Sequence, residues 1–250
     1  GGFWIQSIIA NVAIFIIVNI SNSYESFSHS THETTSNSIL KYLSLSSNLH
    51  FDIFHPWVWI THIFTHQSVF HLLWNMLNLY WFSLIVQDLI GRKHAITIFF
   101  ESGILGGIFF LMASSLLPWS SHQDVIAYGA SASVMGLLFA AATISPNYEL
   151  TLLFIGRVAI KYIAVAFLVL DLLFVGQTQN SGGHAAHIGG ALMGYMYIIL
   201  LRHGYRLSPI DWFTKRKTRQ KRISSTSQNL LSGVSVKNKK MAIDNIAELD

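Results

Sequence analysis

Residues 128–136 read Tyr-Gly-Ala-Ser-Ala-Ser-Val-Met-Gly, and an apolar run, 137–144, follows without a break. Small residues flanked by glycine and then by Leu, Phe, Ala and Ile predict a helix that starts here and enters an apolar medium. Ser131 then lies in the first turn. Backbone N–H groups there lack partners, and the helix dipole favours a developing negative charge. The position suits a serine nucleophile. It equally suits plain packing, because small residues let membrane helices approach closely. The rest of the chain decides between these readings.

The 250 residues are 52% hydrophobic and 11% charged, about half the charged fraction of an ordinary soluble domain. Mean hydropathy is +0.45. Several apolar runs approach the roughly 20 residues a bilayer-crossing helix needs, so an integral membrane protein is expected. Cysteine is absent, which excludes disulfides and cysteine catalysis. The net charge of +4 does not point to nucleic acid. Its basic residues collect in a run, Lys215 to Arg222, and at segment ends, a pattern that suits the inner surface of a membrane lipid bilayer.

The all-α fold expected is a bundle of six transmembrane helices, over residues 3–20, 69–89, 95–117, 129–144, 163–175 and 185–201. The first run is read as a span rather than a removed signal peptide. Residues 1–20 hold the first helix, and 21–68 form an extracytoplasmic loop in which 39–45 can lie on the interface. Residues 51–66, crowded with aromatics and histidines, form a partly membrane-embedded segment between helices one and two. Trp57 and Trp59 mark its headgroup level, and Pro56 argues against a full span. Residues 69–201 carry helices two to six, and 202–250 a polar, basic cytoplasmic tail with a short amphipathic stretch at 241–249. Residues 149–162 read as an interfacial link, with helix five extending back toward Ala159. Residues 176–183 read as a flexible loop.

Basic residues set the orientation. Arg92, Lys93, Arg157 and Lys161 follow spans two and four, whereas the opposite loops carry only Lys41. Both termini are therefore expected in the cytoplasm, in a bacterial inner (cell) membrane. Spans four and six then both start at the outer face, which brings Ser131 and His187 to one depth. The fourth span is short, so its start lies below the membrane surface, at the floor of a water-filled recess. Serine is a weak nucleophile until a neighbouring base takes its proton. His187 is the candidate base. His71 and Asn75, four residues apart on one face of span two, are donors for an oxyanion. Gly190 and Gly194 let span six approach span four.

At these residues the chain resembles the rhomboid family of intramembrane serine proteases. The resemblance rests on His66, His71 and Asn75 in and before span two, on Gly129-Ala130-Ser131-Ala132 opening span four, and on Ala186-His187-Ile188-Gly189-Gly190 with Gly194 in span six. It implies a Ser131 nucleophile and a His187 general base, a dyad without a required aspartate. It implies an oxyanion hole of His71, Asn75 and the Ser131 N–H, and a submerged loop between spans one and two. The substrates expected are single-span membrane proteins, cut near their outer ends because the recess over Ser131 makes local unwinding tolerable there. Lateral entry past span five is expected because residues 176–183 read as flexible and Phe167, Leu168 and Phe174 as removable bulk. No cofactor, metal or nucleic acid is expected. Some members carry Trp-Arg in the first loop. Here Val58 follows Trp57, so that loop must be anchored otherwise. Met135 stands where some members pack an aromatic on the base. Glu101 and Asp171 read as structural, and His184 as structural or loop-anchoring.

Three other classes fit these residues less well. A catalytically inactive, substrate-binding relative usually lacks Ser or His of the dyad, and this chain has both. A metalloprotease or metal transporter could use the twelve histidines. The HExxH motif is absent, however, and His184-Ala-Ala-His187 has no carboxylate nearby in sequence. A soluble α/β-hydrolase is excluded, since the serine does not lie in G-x-S-x-G after a strand.

Overall fold

A computed structural model describes residues 2–28, 39–116, 124–152, 155–175 and 180–205. The chain builds α1 (Phe3–Ser28), α2 (Ile39–Leu43), β1 (Leu45–Ser46), α3 (Leu49–Phe54) and α4 (Val58–Thr61). After a 3₁₀ turn, His62–Phe64, come α5 (Val69–Ile90), α6 (Arg92–Leu116), β2 (Ile126–Ala127) and α7 (Ser131–Ile144). A hairpin of β3 (Glu149–Leu152) and β4 (Gly156–Ala159) leads to α8 (Ile160–Phe174) and α9 (Ser181–Arg202). The protein is an all-α, multi-pass membrane protein. Four helices among the described residues are long and apolar enough to cross a bilayer: Phe3–Tyr24, Val69–Ile90, Arg92–Leu116 and Gly182–Arg202.

Several boundaries differ from those read in the sequence. Helix α1 continues to Ser28, beyond the expected stop at Ile20. Asn19 and Ser23 turn their side chains back onto the Phe15 and Asn19 carbonyls, so these polar residues stay compatible with a helix. The start of α6 is Arg92 rather than Ala95, because Gly91 alone, at φ 96°, turns the chain out of α5. Glu149–Leu152 and Gly156–Ala159 pair as antiparallel strands rather than forming a simple link, and α8 begins at Ile160, close to the expected extension. Ser181–Gly183 belong to α9 rather than to a loop. The stretches 117–123 and 176–179, and the tail with its amphipathic stretch at 241–249, lie outside the described residues.

Helix α7 occupies the centre, packed against α5, α6, α8 and α9. Leu137, Leu138, Ala140 and Ala141 have no exposed surface. Apolar burial cannot drive such an arrangement in lipid, where close packing takes its place. The packing depends on absent side chains. A Cβ on Gly190 would strike the Ala132 backbone, and one on Gly194 the Gly136 backbone. On the third side, a Cβ on Gly106 would lie 2.6 Å from Ala132 Cβ and 2.8 Å from the Ala186 carbonyl oxygen. The expectation that Gly190 and Gly194 bring span six onto span four is met.

The segment between α1 and α5 folds over the Ser131 end of this bundle. Leu45 and Ser46 pair with Ala127 and Ile126, and the Ser47 N–H donates to the Val125 carbonyl at 2.8 Å. Trp57 is the anchor the sequence left unnamed: its indole N–H donates to the Tyr42 carbonyl at 2.8 Å. Thr61 Oγ1 adds a bond to the Leu43 carbonyl at 2.9 Å. At the opposite end of the bundle, Arg92 reaches Gln6, Arg202 reaches the Thr143 carbonyl and Lys161 reaches Asn147. The start of α1 and the end of α9 thus share the end rich in basic residues.

Adding a methyl to a filled backbone contact costs roughly 1–3 kcal/mol. Gly190→Ala and Gly194→Ala are therefore expected to lower the melting temperature in detergent. The unchanged protein serves as the reference, since Ala at Gly204, although open in space, would be strained by the positive φ. Melting of both variants at the temperature of the unchanged protein would contradict the packing role.

Candidate active site

The first turn of α7 and the second turn of α9 meet. His187 Nε2 lies 2.7 Å from Ser131 Oγ, and His187 Nδ1 lies 2.8 Å from Asp171 Oδ1. An ionised carboxylate only accepts hydrogen bonds. With Asp171 ionised, Nδ1 carries the ring proton, and Nε2 turns its lone pair toward the serine hydroxyl. That tautomer can take the serine proton. His184, one turn earlier on the same helix face, brings its own Nδ1 to Asp171 Oδ1, also at 2.8 Å. Phe174 packs against the His184 ring, with centroids 5.7 Å apart.

Asp171 reads in the sequence as a structural residue, and the structure shows what it holds: its carboxylate bonds both histidines of α9 beside Ser131. Asp171 is only 4% exposed, and its Oδ2 has no hydrogen-bond partner among the described residues. The signal was available. An ionisable side chain in an otherwise apolar helix needs a partner, and Asp171 lies at the same end of the bundle as His184 and His187.

The α7 terminus is built to stay open. Ala130, the N-cap residue, has no side chain that could bond the first-turn N–H groups, so the Ser131 N–H has no intrahelical acceptor. Gly129 sits at φ 122°, and a Cβ there would lie 2.9 Å from His71 Cε1. Only glycine meets both demands. The loop before α5 holds this turn. The Gly129 N–H donates to the His62 carbonyl at 2.8 Å, and the Ala130 N–H donates to His66 Nε2 at 3.4 Å. Burial pushes His62 down to about 4 and His66 down to about 3. His66 is thus neutral at physiological pH and free to accept.

Two cavities meet at Ser131. One of about 490 Å³ is bounded by residues 125–129 with His62, His71 and Gly183. The other, about 240 Å³, is lined by Trp74, Asn75, Asn78, Met135, Phe167 and His187 as well as Ser131 and His71. All four residues singled out in the sequence, Ser131, His187, His71 and Asn75, therefore line one cavity. Ser68 caps α5 by accepting from the His71 N–H at 3.2 Å, which fixes the turn that presents His71. Asn75 donates one amide N–H to the His71 carbonyl at 3.0 Å and keeps the other. Asn78, buried one turn further on, was not anticipated.

The sequence pattern of the rhomboid domain matches residues 54–204, more than half of the chain. The protein belongs to the rhomboid family. Among similar proteins, presenilin-associated rhomboid-like protein A, mitochondrial, from Danio rerio is 29% identical over 137 residues, covering 54% of this chain and 35% of that protein. Rhomboid-like protease 3 from Toxoplasma gondii is 26% identical over 192 residues, 76% of this chain and 67% of that protein. RHOMBOID-like protein 12, mitochondrial, from Arabidopsis thaliana is 22% identical over 155 residues, 58% of this chain and 46% of that protein. The chain thus spans about a third of the Danio relative and less than half of the Arabidopsis one. Two of these three names are mitochondrial, which lends no support to the expected bacterial inner membrane.

Two buried groups near this site titrate in opposite senses. The folded-state value of His66 is about 3, below its ordinary 6.5. Acid charges the unfolded chain first, and stability falls as pH drops below 6.5. Asp52, whose Oδ1 accepts the Ser46 N–H, is pushed up by burial from 3.8 to about 6. Its burial costs stability progressively as pH rises from 3.8 to about 6, in full above that and nothing below 3.8. Asp52→Asn is expected to raise the melting temperature much more at pH 7.5 than at pH 4.5. His66→Gln is expected to flatten the decline between pH 6.5 and 4.5. Melting curves unchanged in slope for both variants would contradict these assignments.

Proposed function

We propose that this protein is an intramembrane serine endopeptidase. The observation that carries the proposal is the 2.7 Å contact of Ser131 Oγ with His187 Nε2 at an uncapped helix start. Ser131 attacks the scissile carbonyl as His187 Nε2 takes its proton. The Ser131 N–H, His71 and the free N–H of Asn75 stabilise the oxyanion. His187 then passes the proton to the leaving amine, and water hydrolyses the acyl-enzyme by the same route in reverse. Asp171 is a positioning residue that holds His187 in the accepting tautomer. An inactive, substrate-binding relative is disfavoured because nucleophile and base are both present and in contact.

The substrates proposed are single-span membrane proteins. A helix in lipid satisfies its own backbone, so cleavage requires local unwinding, which exposes costly polar groups. The cavities at Ser131 carry polar side chains, Ser68, His71, Asn75 and Asn78 among them, that can partner freed backbone groups and make such unwinding tolerable. Six spans are proposed, the short α7 and α8 completing the four longer ones. Entry is proposed past α8, where Phe167 lines the smaller cavity. Phe174 packs on the His184 ring, so Phe167 is the cleaner site to open. The names of the relatives favour a mitochondrial membrane over a bacterial one, with the basic end on the inner side.

Purified protein treated with a fluorophosphonate is expected to be labelled on Ser131, with labelling abolished in Ser131→Ala and His187→Ala. Asp171→Asn is expected to slow it about 10² to 10⁴-fold, the usual range for losing a correctly held base. Phe167→Ala is expected to preserve or raise cleavage of a membrane-embedded substrate. Full labelling of His187→Ala, or a modified residue other than Ser131, would refute the mechanism.

A further inference from the structure

We infer that Asp171, His184 and His187 form a binding site for a zinc-class divalent cation, and that an ion bound there switches the serine–histidine pair off. The sequence offered only His184-Ala-Ala-His187 without a neighbouring carboxylate. The fold supplies the carboxylate from α8. One ligand atom from each of the three residues lies within 4.8 Å of the other two, and both histidine Nδ1 atoms are 2.8 Å from Asp171 Oδ1. Two neutral imidazoles and a carboxylate are a common ligand set for zinc.

Two further observations point to a ligand. Asp171 is 4% exposed, yet its Oδ2 has no hydrogen-bond partner among the described residues. The histidine side chains are 20% and 22% exposed, and His187 also lines the smaller cavity at Ser131, so the ligand atoms are not sealed within packed side chains. Zinc bonds to nitrogen and oxygen of about 2.0–2.2 Å hold tetrahedral ligands roughly 3.3–3.5 Å apart. Each histidine Nδ1 needs to move only about half an ångström away from Asp171 Oδ1 to reach that spacing, and the two Nδ1 atoms, within 4.8 Å of each other, need to settle at the same separation. The Asp171 charge favours a cation, and the adjacent helix N-terminus partly opposes it.

The consequence for His187 follows from proton placement. Without an ion, Nδ1 carries the ring proton and Nε2 is the acceptor. An ion on Nδ1 displaces that proton, and the neutral ring then carries one proton on Nε2, with none gained or lost overall. Nε2 now donates toward Ser131 Oγ and cannot take its proton. The same three residues that hold the base in its working tautomer would lock it in the idle one. The loss of reactivity rests on the function proposed above, whereas the binding of the ion does not.

The test uses the full chain in detergent, purified without a polyhistidine tag, with Co²⁺ as a spectroscopic probe and Zn²⁺ as competitor. One Co²⁺ per chain is expected, with tetrahedral visible absorption that Zn²⁺ abolishes. Ser131→Ala is expected to bind Co²⁺ unchanged, and His184→Ala and the bulkier His184→Gln at least tenfold more weakly. Saturating Zn²⁺ is expected to slow fluorophosphonate labelling of Ser131 at least tenfold, reversibly with chelator. The His184 variants should keep their own metal-free rates. Absence of saturable Co²⁺ binding, equal affinity in both His184 variants, or labelling indifferent to saturating Zn²⁺ would each overturn the inference. If Ser131 proves unreactive without any metal, the proposed function fails, and the Co²⁺ arm still decides the site.

Discussion

The approach of α9 to α7 is the contact on which the rest of the structure depends. Gly190 and Gly194 lie against the backbones of Ala132 and Gly136 with no room for a methyl group. The two helices are thereby held at a backbone-to-backbone distance, and a serine from the first turn of α7 meets an imidazole from the second turn of α9. Gly106 of α6 seals the same junction from a third side. Nothing in this arrangement requires the hydrophobic effect, which lipid cannot supply. The bundle is held by fit, and the site inherits its accuracy from that fit.

A second constraint acts from outside the bundle. The loop between α1 and α5 contributes two buried histidines, and each ties down the turn before Ser131, one by its carbonyl and one by its ring. A protonated His66 could not accept the Ala130 N–H. Burial, which makes protonation costly, is therefore a condition of the architecture rather than a side effect. The paired strands β1 and β2 continue the same junction away from the site.

Much of this was legible in the sequence. The small-residue stretch at 128–136 announced a helix start, its shortness announced a recess, and the charge pattern put Ser131 and His187 at one depth. Those signals are local or follow from counting spans. Asp171 was missed for a different reason. Its relation to His184 and His187 depends on the crossing of α8 with α9, which no spacing encodes, and a search for metal ligands confined to neighbouring positions cannot find it. The pairing of Glu149–Leu152 with Gly156–Ala159 was obscured by composition, since a stretch that mixes apolar and charged residues passes for a plain interfacial link. The extension of α1 was hidden because Asn and Ser read as loop formers, whereas here they bond back onto their own helix. Ala130 carries its message by omission, since an uncapped terminus looks like an ordinary small residue.

The outer wall of the molecule is uneven in height. Helix α6 has 25 residues and α8 only 15, or about 37 and 22 Å of helix against a hydrocarbon thickness near 30 Å. Val165, Val169, Leu170, Leu172 and Leu173 of α8 are exposed, so on the six-span reading this shorter wall faces lipid. Acyl chains beside it must compress, at a cost of fractions of a kcal/mol per ångström. That elastic strain is greatest along the side proposed for entry and is relieved when another helix replaces the compressed lipid. Bilayer thickness, and with it lipid composition, thus becomes a variable that acts on substrate capture without touching a single active-site group.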